Sequence, residues 1–180
     1  MVEPLACCLR GVERARITAG DTVAILGAGP IGLMLAASVA DAGGWPVVVG
    51  GRETRRGLVE EFGAEVGDGR GADVVIEAAG TEQAWSDAIE LVRPGGTVVM
   101  FGGLPRDARP PIDAYRVHYE ELTVRGSFHH TPQTVRAALV FLSSGAYPWE
   151  RLVTHRVSLA GLPELFAAPP DDLLKAAVVF

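Results

Sequence analysis

Gly27, Gly29 and Gly32 lie in the stretch TVAILGAGPIG (Thr22 to Gly32), between a short apolar run and the helix-like LMLAASVADAG. Each meets a different steric need. Gly27 lets the chain turn out of a strand, Gly29 removes a side chain where a pyrophosphate would approach the backbone, and Gly32 lets a helix lie close on that strand. Free N–H groups from Ile31 onward, with the positive end of the helix dipole, favour an anion there. Pro30 costs little, because a first-turn N–H has no intrahelical partner. Glycines after a strand and before a helix meet the context that the dinucleotide-binding fingerprint requires. The stretch reads as the opening of a Rossmann unit.

Other residues with chemical potential lie farther along the chain. Ala79, Gly80 and Thr81 follow the apolar run DVVIE, and Gly102 and Gly103 follow TVVMF. Ligands of open parallel sheets bind beyond strand C-termini, so these are candidate cleft-lining positions. His129 and His130 follow GSF, and histidine titrates near neutral pH or binds metal. His155 reads as a sheet residue. Cys7 and Cys8 are neighbours, which on a helix face different ways. Cys8 is expected in the core and Cys7 partly exposed, with neither a nucleophile.

The elements that must position these groups can be read in order. Glu3 to about Arg16 predicts a helix with Leu5, Cys8, Leu9 and Val12 on one face. Trp45 to Val49 predicts a second, buried strand, and Thr54 to Phe62 a helix. Between Phe62 and the strand Asp73 to Glu77 there is only GAEVGDGRGA, whereas a third strand with its crossover takes at least ~10 to 12 residues. Either the third strand is a stub at Glu65 and Val66, or it is absent. In the second case the chain passes directly to the fourth position and the helix from Thr54 changes sides. Thereafter the pattern predicts a helix over Glu82 to Val92, a turn at Pro94-Gly95-Gly96, a strand over Thr97 to Phe101 and a Pro-rich loop over Arg106 to Pro111. A strand over Leu122 to Phe128, a helix over Pro132 to Leu142, and short strands within Trp149 to Val157 and Lys175 to Phe180 complete it.

The fold class expected is α/β: a doubly wound, mostly parallel Rossmann sheet with an abbreviated third-strand region and a C-terminal extension. The 180 residues suit one domain, with a lead-in helix (1–16), a nucleotide-binding core (20–128) and the extension (129–180). A hydrophobic content of 48% and a charged content of 21% are ordinary globular values. The net charge of −6 argues against a nucleic-acid binder. No apolar run approaches the ~20 residues of a membrane span, and MVEPLACC lacks a signal pattern. Two adjacent cysteines give no disulfide framework and fit a cytoplasmic location.

Taken together, EPLACCLRGV, DTVAILGAGPIG, GADVVIEAAG, LVRPGGTVVMFGG, ELTVRGSF and LVTHRVSL resemble the cofactor-binding half of the medium-chain zinc-type alcohol dehydrogenases, above all the sorbitol and threonine dehydrogenase branch. The resemblance covers nearly the whole chain. It implies an N-terminal catalytic domain, carrying the catalytic zinc ligands and often a four-cysteine zinc site, that is not among these residues. Two cysteines cannot supply four thiolates, so no zinc is expected from this chain alone. By the same resemblance Glu3 matches a glutamate that points toward the catalytic zinc, and His129 and His130 match positions at the nicotinamide end of the cleft. These three are the catalytic candidates. The alternatives are a helix-start carboxylate for Glu3, structural loop histidines, or a composite zinc site of Glu3, His129 and His130.

The resemblance also bears on the nucleotide. The acid that binds the ribose hydroxyls of NAD lies nineteen residues beyond the last fingerprint glycine in these dehydrogenases, and here that position is Gly51. Arg52 follows, with Arg55 and Arg56 close behind, and guanidinium suits a 2′-phosphate in charge and geometry. NADP is therefore expected rather than NAD. The alternative is a solvated helix start, with Glu53 as a displaced ribose acceptor.

The function expected is an NADP(H)-binding oxidoreductase type, with hydride passing between cofactor and an alcohol or carbonyl, and a separate catalytic domain as a partner. A non-catalytic NADP(H)-binding module and a repurposed non-redox fold are the alternatives. LTVRGSF is the candidate edge strand for a homodimer.

Overall fold

The computed structural model describes residues 1–180, apart from the side chain of Glu53. Helix α1 (Val2–Ala15) leads into β1 (Thr22–Leu26); α2 (Pro30–Asp41) returns to β2 (Trp45–Val49). A 3-10 turn at Glu53–Arg55 and α3 (Arg56–Glu61) lead to β3 (Glu65–Gly67). Then follow β4 (Ala72–Glu77), α4 (Glu82–Leu91), β5 (Val92–Met100), α5 (Ala114–Tyr119) and β6 (Thr123–Gly126). The last part holds α6 (Pro132–Ser143), 3-10 turns at Trp149–Leu152 and Leu159–Gly161, β7 (His155–Ser158), α7 (Leu162–Ala167) and β8 (Ala176–Val179).

Six strands pair in parallel in the order β3-β2-β1-β4-β5-β6, which is the Rossmann arrangement that the fingerprint predicts. β7 and β8 form a separate parallel pair. The sheet is covered on both faces, which is why its central strands read as continuous apolar runs. On one face Leu5 and Cys8 of α1, Leu33 and Met34 of α2, Val59 of α3 and Ala138 of α6 pack with Val23, Ile25, Val48 and Ile76. On the other, Ala84, Ala88 and Ile89 of α4 pack with Ala24, Leu26, Val75 and Val98. Phe62, Phe141, Tyr147 and Trp149 stack ring against ring and tie the segment after α6 to this core.

The third strand persists as the stub that the sequence allows, with Val48 of β2 opposite Val66 of β3. The alternative, a direct passage to the fourth position with α3 on the opposite face, is corrected: α3 packs in the same cluster as α2. What has gone is the crossover helix. Residues 68–71 alone return the chain to β4. They can do so because they lie flat on the sheet: a Cβ on Gly69 would stand 2.6 Å from Val49 Cγ2 and 2.8 Å from Ala24 Cβ, and its φ is +66°. Gly71 N–H then donates to the Leu91 carbonyl at 2.8 Å.

β5 starts earlier than the sequence predicts. Pro94, Gly95 and Gly96 form not a turn before the strand but a bulge within it, since Ala72 pairs with Val92 and Val74 with Thr97. Arg93 in the bulge donates to Asp73 Oδ1 at 2.7 Å, while Asp73 Oδ2 accepts the Thr22 N–H at 2.8 Å. These two bonds, that from Arg93 first, hold the Asp73 carboxyl below its ordinary range. Helix α5 is absent from the sequence expectations because it buries no residue and so shows no apolar stripe; Asp113 caps it by accepting the Arg116 N–H at 3.1 Å. Among the described residues no helix is long and apolar enough to cross a membrane.

Candidate functional site

Strand order reverses direction between β1 and β4, so a crevice opens beyond their C-terminal ends. Gly27, at φ +116°, makes the exit turn from β1 beside the loop after β4: its Cβ would stand 3.4 Å from Ala78 and Ala79 backbone atoms. Gly32 is buried against that turn, where a Cβ would fall 1.8 Å from the Gly27 carbonyl oxygen. Gly29 differs from both. A Cβ there meets no protein atom within 4 Å, so the space beside it is open. Gly29 caps α2 without a side-chain bond, Pro30 occupies its first turn, and no acidic residue lies in that turn. The start of α2 therefore presents free N–H groups and an uncompensated positive dipole end.

Beyond β2 the chain passes Gly50 and Gly51. Gly51 has φ +98°, and a Cβ on it would stand 2.4 Å from Ala28 Cβ, so backbone and packing both exclude a carboxylate at this position. Arg52 donates to the Asp171 carbonyl and lies 3.4 Å from the Asp171 carboxylate. Arg55, half-buried, donates to the carbonyls of Ala28 at 3.2 Å and Leu173 at 3.3 Å. The C-terminal segment thus lies against both guanidinium groups, a contact the sequence does not reveal. The side chain of Glu53, the displaced acceptor considered above, lies outside the described residues.

Glu77, at the end of β4, organises the loops that carry Ala79, Gly80, Gly102 and Gly103. It is fully buried. Its Oε1 accepts the N–H groups of Ala79 at 2.8 Å and Gly80 at 2.7 Å, and its Oε2 accepts that of Gly102 at 3.1 Å. Gly102 must lack a side chain, because a Cβ would stand 2.5 Å from Glu77 Oε2 and 2.6 Å from the Gly80 nitrogen. Trp85 Nε1 donates to the Gly102 carbonyl at 3.0 Å. Thr81 serves as the N-cap of α4, its hydroxyl accepting the Ala84 N–H at 3.1 Å. Sequence reasoning takes Glu77 as a strand end; an acid closing an apolar run before a glycine-containing turn was the available signal.

Past β5 and β6 lies a cleft of ≈710 Å³ bounded by Trp85, Phe101, Gly102, Gly103, Ser127 and Phe128. A cavity of ≈200 Å³ adjoins it, lined by Glu3, Cys7, Ile31, Phe101, Ser127 and His129 among others. Ser127, which lines both, has a buried hydroxyl without a hydrogen-bond partner. Glu3 and Cys7 lie one turn apart on α1, and the Cys7 thiol donates to Glu3 Oε1 at 3.3 Å. Burial first, then this bond and the Glu3 charge, push the thiol up to about 11. Cys8 faces inward and is fully buried, as its place on the apolar face predicts, and burial pushes it well above the ordinary thiol value. One donor atom each from Glu3, Cys7 and His129 lie within 4.8 Å of one another. The donors brought closest to Glu3 and His129 thus include Cys7, while the His130 ring packs T-shaped against that of His129, centroids 4.0 Å apart.

Known proteins share this fold and much of this sequence. A family model described as zinc-binding dehydrogenase matches residues 65–144. The chain is 32% identical over 200 residues to L-galactonate-5-dehydrogenase of Escherichia coli (strain K12), spanning 100% of this chain and 58% of that protein. It is also 32% identical over 181 residues to sorbitol dehydrogenase of Halalkalibacterium halodurans, spanning 89% of this chain and 52% of the relative. Among solved structures, an NADP-bound protein assigned as a zinc-binding dehydrogenase, from Sinorhizobium meliloti 1021, superimposes with a TM-score of 0.90 at 35% identity. That match covers 99% of this chain and 58% of the other. The chain spans between half and three fifths of the length of these relatives.

Proposed function

The chain is a relative of the zinc-type medium-chain dehydrogenases and corresponds to their cofactor-binding half, and from that premise we propose that it binds NADP(H) in the crevice beyond β1 and β4. Gly51 is the observation that carries this reading. A position closed to any carboxylate, with Arg52 and Arg55 beside it, favours a nucleotide bearing a 2′-phosphate. Gly29 and the start of α2, where the open space and unshared N–H groups are, would hold the pyrophosphate. Gly80 and Gly102, whose loops Glu77 holds together, would wall the nicotinamide end of the nucleotide.

Bound NADP(H) supplies or accepts a hydride. The chain's own residues orient the dinucleotide and wall the cleft, and Glu3 and His129 stand at its far end as the candidate groups for holding or moving a proton. The reaction is the exchange of hydride with an alcohol or carbonyl in the polyol class, completed by a catalytic domain outside these residues. The assembly is a homodimer along the edge strand β6, where Val124 is exposed, and free thiols at Cys7 and Cys8 suit a cytoplasmic setting.

Arg52→Asp tests the nucleotide reading. Losing a charge-assisted phosphate contact is worth about 1.5–3 kcal/mol, so NADPH affinity falls by roughly 10- to 100-fold by calorimetry. NADH affinity, which draws on no such contact, changes less than about threefold. An equal loss for both nucleotides overturns the assignment.

A further inference from the structure

We infer that Asp171 competes with a 2′-phosphate for Arg52 and thereby sets how strongly this chain prefers NADP(H) over NAD(H), an inference that rests on the nucleotide reading above. Both terminal nitrogens of the Arg52 guanidinium turn to this one residue. Nη1 donates to the Asp171 carbonyl, and Nη2 lies 3.4 Å from Asp171 Oδ1. A phosphate is clamped by the same planar fork of N–H groups. One edge of the guanidinium cannot hold both at once, so a 2′-phosphate that takes this edge must turn Asp171 away.

The segment that carries Asp171 is fixed on one side and free on the other. Beyond it β8 pairs with β7, the Leu174 N–H donates to the Thr154 hydroxyl at 3.0 Å, and the Leu174 side chain packs against the core. Arg55, which donates to the Ala28 carbonyl, also donates to that of Leu173 at 3.3 Å. The Leu173 N–H returns to the Pro170 carbonyl at 3.0 Å, and this turn carries Asp171 over Arg52. The Asp171 side chain is fully exposed and that of Arg52 is 57% exposed. Leaving therefore costs the carboxylate little, because an exposed ion pair is weak and water takes the place of the guanidinium. A phosphate monoester carries a charge of about −1.5 to −2 at neutral pH, so it outcompetes a single carboxylate for the same fork. Room for the ribose lies beside Gly50, where a Cβ would meet no protein atom within 4 Å. NAD(H) brings no anion to this place. Its ribose hydroxyls can instead donate to the Asp171 carboxylate, the role for which Gly51 has no side chain. One carboxylate thus opposes NADP(H) and supports NAD(H).

Calorimetric titration of Asp171→Asn with NADPH and NADH, beside the unaltered chain, tests this. The variant keeps the backbone carbonyl and loses the charge, and since the side chain is fully exposed the fold survives the change. NADPH affinity is expected to rise about two- to fivefold, the reach of one exposed ion pair, while NADH affinity stays level or falls. Asp171→Glu returns the preference of the unaltered chain. Asp172→Asn makes the same charge change one residue on, where the carboxylate faces His155 Nε2 at 3.7 Å, and leaves the ratio of the two affinities close to that of the unaltered chain. An unaltered chain that prefers NADPH, with an Asp171→Asn variant whose preference is equal or smaller, overturns this inference alone. Failure of both chains to bind either nucleotide overturns the nucleotide reading and this inference with it.

Discussion

Gly32→Ala is expected to cost the chain both its stability and its nucleotide site. The added Cβ would fall 1.8 Å from the Gly27 carbonyl oxygen and 2.9 Å from the Gly27 carbonyl carbon, and backbone cannot swing aside as a flexible side chain does. Either α2 must lift from β1 or the exit turn must reopen. Lifting α2 disturbs Leu33, Met34, Leu35 and Val39, all fully buried. Overpacking of this severity costs about 3 kcal/mol or more, which lowers the melting temperature by at least about 6–12 °C for a chain of this size. Gly29→Ala provides the contrast. Its Cβ meets no protein atom, so the variant melts with the unaltered chain, yet it binds NADPH at least about tenfold more weakly because the methyl group enters the pyrophosphate space. Thermal melts and calorimetric titrations of the two variants check this split, and equal behaviour of the pair contradicts it.

The second large effect is at Glu77. Truncation to alanine removes the acceptor for three N–H groups at once, those of Ala79, Gly80 and Gly102, and opens a cavity at a fully buried position. At about 1–3 kcal/mol for each donor left unpaired, relieved in part because these N–H groups are only part-buried and the loops relax toward water, a loss of about 3–5 kcal/mol follows. Glu77→Gln keeps an acceptor for Ala79 and Gly80 and loses that for Gly102, so its loss is smaller. Denaturant unfolding measures both. Nucleotide affinity falls further in the alanine variant, since the loops it releases wall the cleft. Stability of Glu77→Ala within about 1 kcal/mol of the unaltered chain contradicts this account.

Much of the fold was legible where local chemistry decides it. Valine-rich β2 and the glycine-punctuated passage from β1 to α2 fall where composition and spacing place them, because burial on both faces and a tight exit turn leave a direct signature. The crossover to β4 was not legible. Its shortness shows in the sequence, but that Gly69 lies on Ala24 and Val49 depends on strands distant in the chain. The bulge in β5 is hidden for a related reason: Pro94-Gly95-Gly96 has turn composition, and only pairing with β4 shows the strand resuming across it.

The site divides in the same way. The fingerprint glycines form the exit turn of β1 and the start of α2, and Arg55 donates to the Ala28 carbonyl in that turn. The spacing of Glu3 and Cys7, one helical turn, was available in the sequence; the approach of His129 to them is tertiary. So is the contact of Asp171 and Leu173 with the two arginines, made by a segment with no motif of its own.

Calorimetric titration of the unaltered chain with NADPH and NADH tests the central claim most directly. Binding of one NADPH per chain, tighter than NADH by at least about tenfold, is the result expected from Gly51 and its neighbouring arginines. Failure to bind either nucleotide, or tighter binding of NADH, contradicts it.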